Sequence, residues 1–582
     1  MRHLLLLLSC LLLGVPLLAA AETPSPFEAA VRARAAREPG QTSKALVRFY
    51  ESRAFQPAWF SDEGSVRPQA GQYLAALSEA GAEGLSPERY HRSALEESLR
   101  QLTLGGGQEA AWMEVELRLT SSFLTYASHL LSGQVSSRPL QGRVKPPGGV
   151  ELASVLEGAL ASGDLSGALR ELSPKHEGFV RLREALVRYR AIAAAGGWPL
   201  VPEGAPLEPG MRDPRVVVLR ERLRVTGDLP PAPEERQLYP GSPGVGVAAL
   251  VGDLVRAAME ERAPEVPLPP TPEDLYDAEV EEAVKTFQQR HGLGVDGKVG
   301  RETLKALRVP VEQRIAQLQV NLERWRWAPR ELGERYVLVN LPAYELEAVE
   351  QGRTALRMPV IIGAQDWHTP TFQDEVEYLV LNPEWHVPRA ITQEEVLPKL
   401  REDAGAAGRM GLTVLDRATG EPVDPATVDW SGVDEGALPY RFAQPPGGSN
   451  PLGRVKFIFP NRYSIYMHDT PNREAFAEVQ RALSHGCVRV AEPEKLAGFL
   501  LQGDEKWTEE ALVAAMEAGG RQRRVDLPAP VPVYLLYWTA FVNADGRVEF
   551  RPDVYRRDPA VKQALAVEPA GGAPVARGGA RG

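Results

Sequence analysis

Leu483-Ser484-His485-Gly486-Cys487-Val488-Arg489-Val490 is the stretch from which the chain is read. The 582 residues contain two cysteines, Cys10 and Cys487. The first lies in an apolar leader that reads as an export signal, so the mature chain is expected to keep Cys487 alone. A lone thiol in an exported protein forms no internal disulfide, and nucleophilic catalysis is the leading use for it. His468 stands nineteen positions upstream, on a segment from Arg462 to His468 that reads as a strand. Side chains alternate along a strand, so Ser464, Tyr466 and His468 should share a polar face while Ile465 and Met467 share the other. Downstream, Glu492-Pro493 suits the start of a helix, with proline in its first turn. Cys487 is thus expected on a loop, where reactive groups are displayed.

A thiol with a reference pKa of about 8.5 is mostly protonated near neutrality, so a catalytic cysteine needs a base or a cation beside it. His468 is the candidate base, and the backbone carbonyl of Asp469 is the candidate acceptor that fixes its tautomer. The N–H groups of Gly486 and Cys487 are candidate donors to a tetrahedral oxyanion. Together these describe acyl transfer through a thioester. His485 is read as a loop-holding residue. Arg489 reads either as a surface charge or as a partner for a carboxylate or thiolate. Two other uses of the thiol stay open: a small buried hydrophobe, and a zinc ligand together with His468 and His485. The spacing of the latter set is not a usual ligand pattern.

The fold class expected is multidomain α+β, since the length exceeds one core at about 150 residues per domain. Residues 1–21 read as a signal peptide, with Met1-Arg2-His3, an apolar run from Leu4 to Leu18 and Ala19-Ala20-Ala21 before Glu22. The address implied is the periplasm. Leu7-Leu8-Ser9-Cys10 offers a rival lipoprotein reading, weakened by the short apolar run before it. Residues 22–205 have helical apolar spacing, as in Glu114 to Leu131 and Phe179 to Ala195, and form a helical scaffold in which His91, His129 and His176 lie scattered. Residues 206–310 form a second, helical unit with a Pro/Gly-rich insertion at 229–272. Residues 311–558 change to short Val/Ile/Tyr/Phe-rich segments, from Tyr336–Asn340 to Arg462–His468, and give a mostly β domain. A stretch at 389–440, helical around Gln393 to Arg401 and poor in strand character, reads as a lid-like insertion. Residues 559–582 read as a disordered tail. A net charge of −11 argues against nucleic acid as a partner.

Tyr466-Met467-His468-Asp469-Thr470-Pro471 followed by Ser484-His485-Gly486-Cys487-Val488-Arg489 resembles the signature of the L,D-transpeptidases. Asn321 to Trp327, Asn382-Pro383-Glu384-Trp385 and Asn450-Pro451-Leu452-Gly453 extend the likeness. Phe287 to Leu293 with Asp296 to Thr303 resembles the core of the three-helix peptidoglycan-binding domain. The order of parts is similar to the long periplasmic type. The resemblance implies that Cys487 is the nucleophile, that His468 moves the proton, that Ser484, His485, Gly486 and Arg489 belong to the signature loop, and that Tyr466 lines the donor site; Trp385 is a further substrate contact. It implies 3-3 cross-linking of peptidoglycan in cell-wall organisation and cell shape. A tetrapeptide stem would acylate Cys487 with loss of D-alanine, and a diamino-acid side-chain amine would take the acyl group. No cofactor or metal is implied. Partners implied are stem peptides, glycan strands through the binding domain, and cell-wall synthases; carbapenems would acylate the same thiol. The alternatives are a hydrolytic L,D-carboxypeptidase or endopeptidase on the same site, and a non-catalytic peptidoglycan-binding scaffold. Many relatives have glycine where this chain has Asp469, which brings a charge next to the imidazole.

Overall fold

A computed structural model describes residues 24–37, 40–61, 63–105, 109–135, 149–230, 272–434 and 436–566. The expected signal peptide, the lipoprotein cysteine, nearly all of the 229–272 insertion and the end of the tail lie outside them. The chain divides into two compact units. Among the described residues no helix is long and apolar enough to cross a membrane.

The first unit takes in residues up to 76 together with 90–127 and 151–168. It is helical, with Pro26–Arg37, Gly40–Ser52, most of Glu109–Ser132 and Leu152–Ser162 as main elements. Phe49, Tyr50, Trp59, Tyr73 and Phe123 are fully buried. Glu116 sits among them, accepting from the backbone N–H groups of Ala58 and Trp59 at 2.6 and 2.9 Å and from Tyr50 Oη at 2.8 Å. Thr120 meets Tyr50 Oη at 2.7 Å and accepts from Trp59 Nε1 at 2.8 Å.

The second unit holds the rest. Helices Arg215–Val225, Ala278–Arg290 and Arg301–Leu307 enclose Val216, Leu219, Leu223, Tyr276, Val284, Phe287 and Leu307. The turn that follows Gln289 has a local cause. Gln288 donates to Asp296 Oδ1 at 2.7 Å and to the Lys298 carbonyl at 2.9 Å, and accepts from Gly297 N–H at 2.9 Å. Gly297 has φ +70°, a conformation that favours glycine.

The β region contains β1 (Arg335–Asn340), β2 (Glu345–Glu350), β3 (Arg353–Gly363), β4 (Phe372–Leu381), β5 (Trp385–His386), β6 (Thr413–Asp416), β7 (Tyr440–Gln444), β8 (Val455–Ile458), β9 (Met467–His468), β10 (Ala482–Ser484), β11 (Val488–Val490), β12 (Arg523–Leu536), β13 (Ala540–Val542) and β14 (Val548–Phe550). Nine of them form one sheet in the order β10-β3-β11-β9-β8-β4-β12-β1-β2, and a further β2–β3 pairing closes the strands from β3 to β2 into a ring, with β10 attached to β3 alone. Val337, Val339, Val360, Ile362, Leu379, Val455, Phe457, Met467, Val488, Val533 and Leu535 fill its core. β12 is the strand the sequence disguises. Pro528, Pro530 and Pro532 argue against a central strand, yet Arg523–Asp526 and Val531–Leu535 both pair with β4 across a shift of register between Asp526 and Val531.

Two expectations need correction and one holds. Arg462–His468 is a strand only at Met467–His468; Ser464 has φ +55° in the preceding turn, so it does not continue the polar face. The 389–440 segment has little strand, as expected: it holds β6 alone in full, which pairs with β7 from Tyr440 onward, and β7 pairs in turn with β5, over a separate core of Leu397, Leu400, Ala407, Val414, Trp430 and Phe442. The tail is helical over Asp558–Ala566, because Val561 packs against Val320 and Trp327 and Asp558 meets Arg324 at 2.6 Å. Asn321, in the quoted Asn321 to Trp327 run, joins the same assembly by exchanging hydrogen bonds with Thr539 at 2.9 Å each way.

Candidate active site

Three short strands set the site. In β8, β9 and β11 the residues Val455, Phe457, Met467, Val488 and Val490 point into the core, so their neighbours Lys456, His468 and Arg489 stand on the opposite face. Register aligns these three in one row, Lys456 opposite His468 and His468 opposite Arg489. One step back, Val488 N–H donates to the Tyr466 carbonyl at 3.1 Å. This places Cys487 beside Tyr466 and diagonal to His468 across the parallel β9–β11 pair.

The imidazole of His468 is 4% exposed. Its Nδ1 donates to the Asp469 carbonyl at 2.5 Å, which leaves Nε2 as the acceptor nitrogen. Burial, and then the cations Arg489 and Lys456, hold its pKa down at about 3 against the pull of that carbonyl. Cys487 is only partly buried and packs against the core. Its Sγ lies 3.9 Å from the Ser464 carbonyl. Burial pushes the thiol up to about 11; the backbone N–H and the hydroxyl of Tyr466, then Arg489 and Lys456, oppose that rise. Burial and the Cys487 sulfur hold the Tyr466 phenol well above its usual range. Burial thus disfavours a thiolate–imidazolium pair.

The surrounding loops are fastened by their own bonds. Ser484 Oγ donates to the Cys487 carbonyl at 2.6 Å and accepts from Gly486 N–H at 3.2 Å. Gly486 N–H, expected as an oxyanion donor, is thus engaged inside the loop. Gly486 itself has φ +110°, and a Cβ there would meet Ile465 Cδ1 at 3.2 Å. Its carbonyl accepts from Thr369 Oγ1 at 2.7 Å, which also accepts from Gly363 N–H at 2.9 Å; Tyr555 Oη donates to the Gly363 carbonyl at 2.7 Å. Asp469 does not set the imidazole by its charge. Its carboxylate accepts from Arg454 N–H at 2.8 Å, Thr470 N–H at 2.7 Å and Arg473 at 2.8 Å. Gly453 gives it room, since a Cβ there would lie 2.4 Å from Asp469 Cγ. Asn450, fully buried, donates to the carbonyls of Pro383 and Pro445 at 3.0 Å.

His485 faces elsewhere. Its Nε2 meets Glu395 Oε1 of the 389–440 segment at 2.5 Å, and its ring stands edge-on to Trp367 at 4.9 Å. Trp385 is partly buried against that segment's own core. The structure therefore gathers Cys487, Tyr466, His468 and Arg489 on one face, frames them with Ser484, Gly486 and Asp469, and leaves Trp385 in separate packing. Lys456, Thr369, Tyr555 and Glu395 are members or supports of the site that sequence reasoning missed. Only Lys456 had a signal, as the alternating residue between Val455 and Phe457. Among the described residues no group of three or more His, Cys, Asp or Glu is arranged to hold a metal ion.

Residues 334–513 match the L,D-transpeptidase catalytic domain, residues 264–307 a domain described as "Putative peptidoglycan binding domain", and residues 44–186 a scaffold domain. The β region thus belongs to the L,D-transpeptidase catalytic-domain family. A protein of Haemophilus influenzae described as "Putative L,D-transpeptidase" is 35% identical over 263 residues, which are 44% of this chain and 52% of that protein. The chain spans about half the length of this curated relative. A solved L,D-transpeptidase from Xylanimonas cellulosilytica is 15% identical and is covered over 98% of its length against 57% of this chain, with a TM-score of 0.15.

Proposed function

We propose that the chain is a periplasmic cysteine acyltransferase that forms 3-3 cross-links between peptidoglycan stems. The observation that carries this reading is the register of β9 and β11, which sets Cys487 diagonal to an imidazole whose Nδ1–H is already given to the Asp469 carbonyl. As a tetrapeptide stem enters, the thiol proton passes to His468 Nε2 while sulfur attacks the carbonyl of the third residue. The transfer is concerted with attack, because burial disfavours the isolated ion pair. Cys487 N–H is the loop amide assigned to the oxyanion. Collapse breaks the amide bond, and imidazolium protonates the departing D-alanine amine. The side-chain amine of a second stem then attacks the thioester and loses its proton to His468; the carbon–sulfur bond breaks, the acyl group stays on the amine, and His468 returns the proton to the Cys487 sulfur. The peptidoglycan-binding and scaffold regions are assigned to holding glycan strands, and cell-wall synthases are the expected neighbours.

Incubation of the full chain with purified disaccharide tetrapeptides tests this. Cross-linked dimers together with free D-alanine are expected, and both should vanish in Cys487→Ala. Shortened monomers without dimers would assign hydrolysis in place of transfer. Unchanged wall binding with no products from either protein would assign a scaffold.

A further inference from the structure

Most arginines around the site have a carboxylate. Arg454 is paired with Glu494, and Arg473 with Asp469 at 2.8 Å. Lys456 and Arg489 differ. Each stands next to His468 in the strand register, one on either side. Among the described residues neither forms an ion pair within 4 Å, and Arg489 Nε is buried without a hydrogen-bond partner. Burial is the main influence on both, lowering the affinity of each for its proton. Glu384 acts on Lys456 by its charge without an ion pair within 4 Å, and has its own neighbour in His386 at 3.8 Å. The charge that both cations feel is that of a Cys487 thiolate, which burial disfavours.

Two uncompensated, partly buried cations are costly to keep. They are the more notable in a chain with 77 acidic against 66 basic residues. Lys456 Nζ lies 5.8 Å from the centre of the Tyr466 ring, and Tyr466 stands beside Cys487 in the strand register. The cations are therefore contiguous with the reacting sulfur.

We propose that Lys456 and Arg489 form a recognition pair for a substrate carboxylate, docking it within one residue of the carbonyl that Cys487 attacks. This rests on the transpeptidase reading for the identity of the substrate. A stem offers such a carboxylate on the terminal residue that leaves and, where the third residue is a diamino diacid, at the end of that residue's side chain. Either would turn the pair into a charge-assisted bridge and fix the peptide's register at the thiol.

Alkylation of Cys487 in the full chain by iodoacetate and by iodoacetamide tests the pair without any turnover. The two reagents share the thiolate displacement of iodide and differ in the carboxylate, so their rate ratio cancels thiol ionisation. The ratio is expected to fall about tenfold in Lys456→Met and in Arg489→Met, while Lys456→Arg keeps most of it. A ratio unchanged in both Met variants, or lost equally in Lys456→Arg, overturns the proposal. With stem peptides, amidation at the carboxylate actually used should raise KM about tenfold in the parent and little in Lys456→Met, with kcat nearly unchanged; the position of the effective amide identifies the source. Equal KM for both amides and the free acid in the parent also overturns it. Absence of turnover on every stem, with the alkylation ratio behaving as expected, would reject the transpeptidase reading and leave the carboxylate site standing.

Discussion

Glu116 in the helical unit and His468 in the catalytic sheet are both enclosed polar side chains, yet their surroundings follow opposite rules. Glu116 accepts three hydrogen bonds, from two backbone amides and Tyr50. His468 has one nitrogen committed to the Asp469 carbonyl and two cations in register beside it, neither with an ion-pair partner among the described residues. A saturated buried cluster can only stabilise. An unsaturated one with a reactive group at its edge is arranged for something that arrives.

That contrast can be broken experimentally. Removing the Glu116 carboxylate should have the largest effect: Glu116→Ala strands two amides and a phenol, and a loss of about 4 kcal/mol is expected in denaturant unfolding of the full chain, with intrinsic alkylation of Cys487 unchanged. A loss under about 1 kcal/mol would mean the cluster is not the structural brace described. Thr369→Val removes the hydroxyl that spans Gly363 and Gly486. It should cost about 2 kcal/mol and lower kcat more than it raises KM, since the signature loop loses its support; unchanged kcat would contradict that role.

His468 gives a pH signature. Its folded pKa of about 3 lies below that of an ordinary histidine near 6.5. The unfolded chain therefore binds a proton that the folded chain refuses between these values, and stability falls as pH drops from about 6.5 toward 3. In His468→Gln the acid slope should be smaller by up to about 1.4 kcal/mol per pH unit; an identical slope would show that the imidazole is not held neutral. The smallest effect belongs to Glu395→Gln at the contact with His485. A change of about threefold in kcat/KM is expected with little change in unfolding, given the modest worth of half-exposed pairs.

The legible parts of this molecule were those where local chemistry and tertiary role agree. β1, β2, β8 and the helices around Gln288 follow from periodicity and turn residues, and the Cys487/His468 pair from chemical necessity. β12 was hidden because its prolines sit at a register shift. The 389–440 segment was legible as helical around Gln393 to Arg401 and poor in strand, but not as carrying a core of its own, which Trp430 and Phe442 anchor. The start of the tail looked disordered because its order comes from distant partners, Arg324 and Trp327. The Asp469 carbonyl orients the ring as expected, whereas the fate of its carboxylate, taken up by Arg454 and Arg473, depends on tertiary partners that local sequence does not reveal. Lys456 and Glu395 reach the site only through cross-strand register and packing of the insertion, which one sequence does not display.

The central claim is that Cys487 is acylated by peptide-like carbonyls with help from His468. Intact-mass measurement after incubation with a carbapenem tests it most directly. One covalent adduct per chain is expected, mapped to the peptide containing Cys487, absent from Cys487→Ala and formed far more slowly in His468→Gln. An adduct that persists in Cys487→Ala, or no adduct on the folded parent chain, would contradict the account.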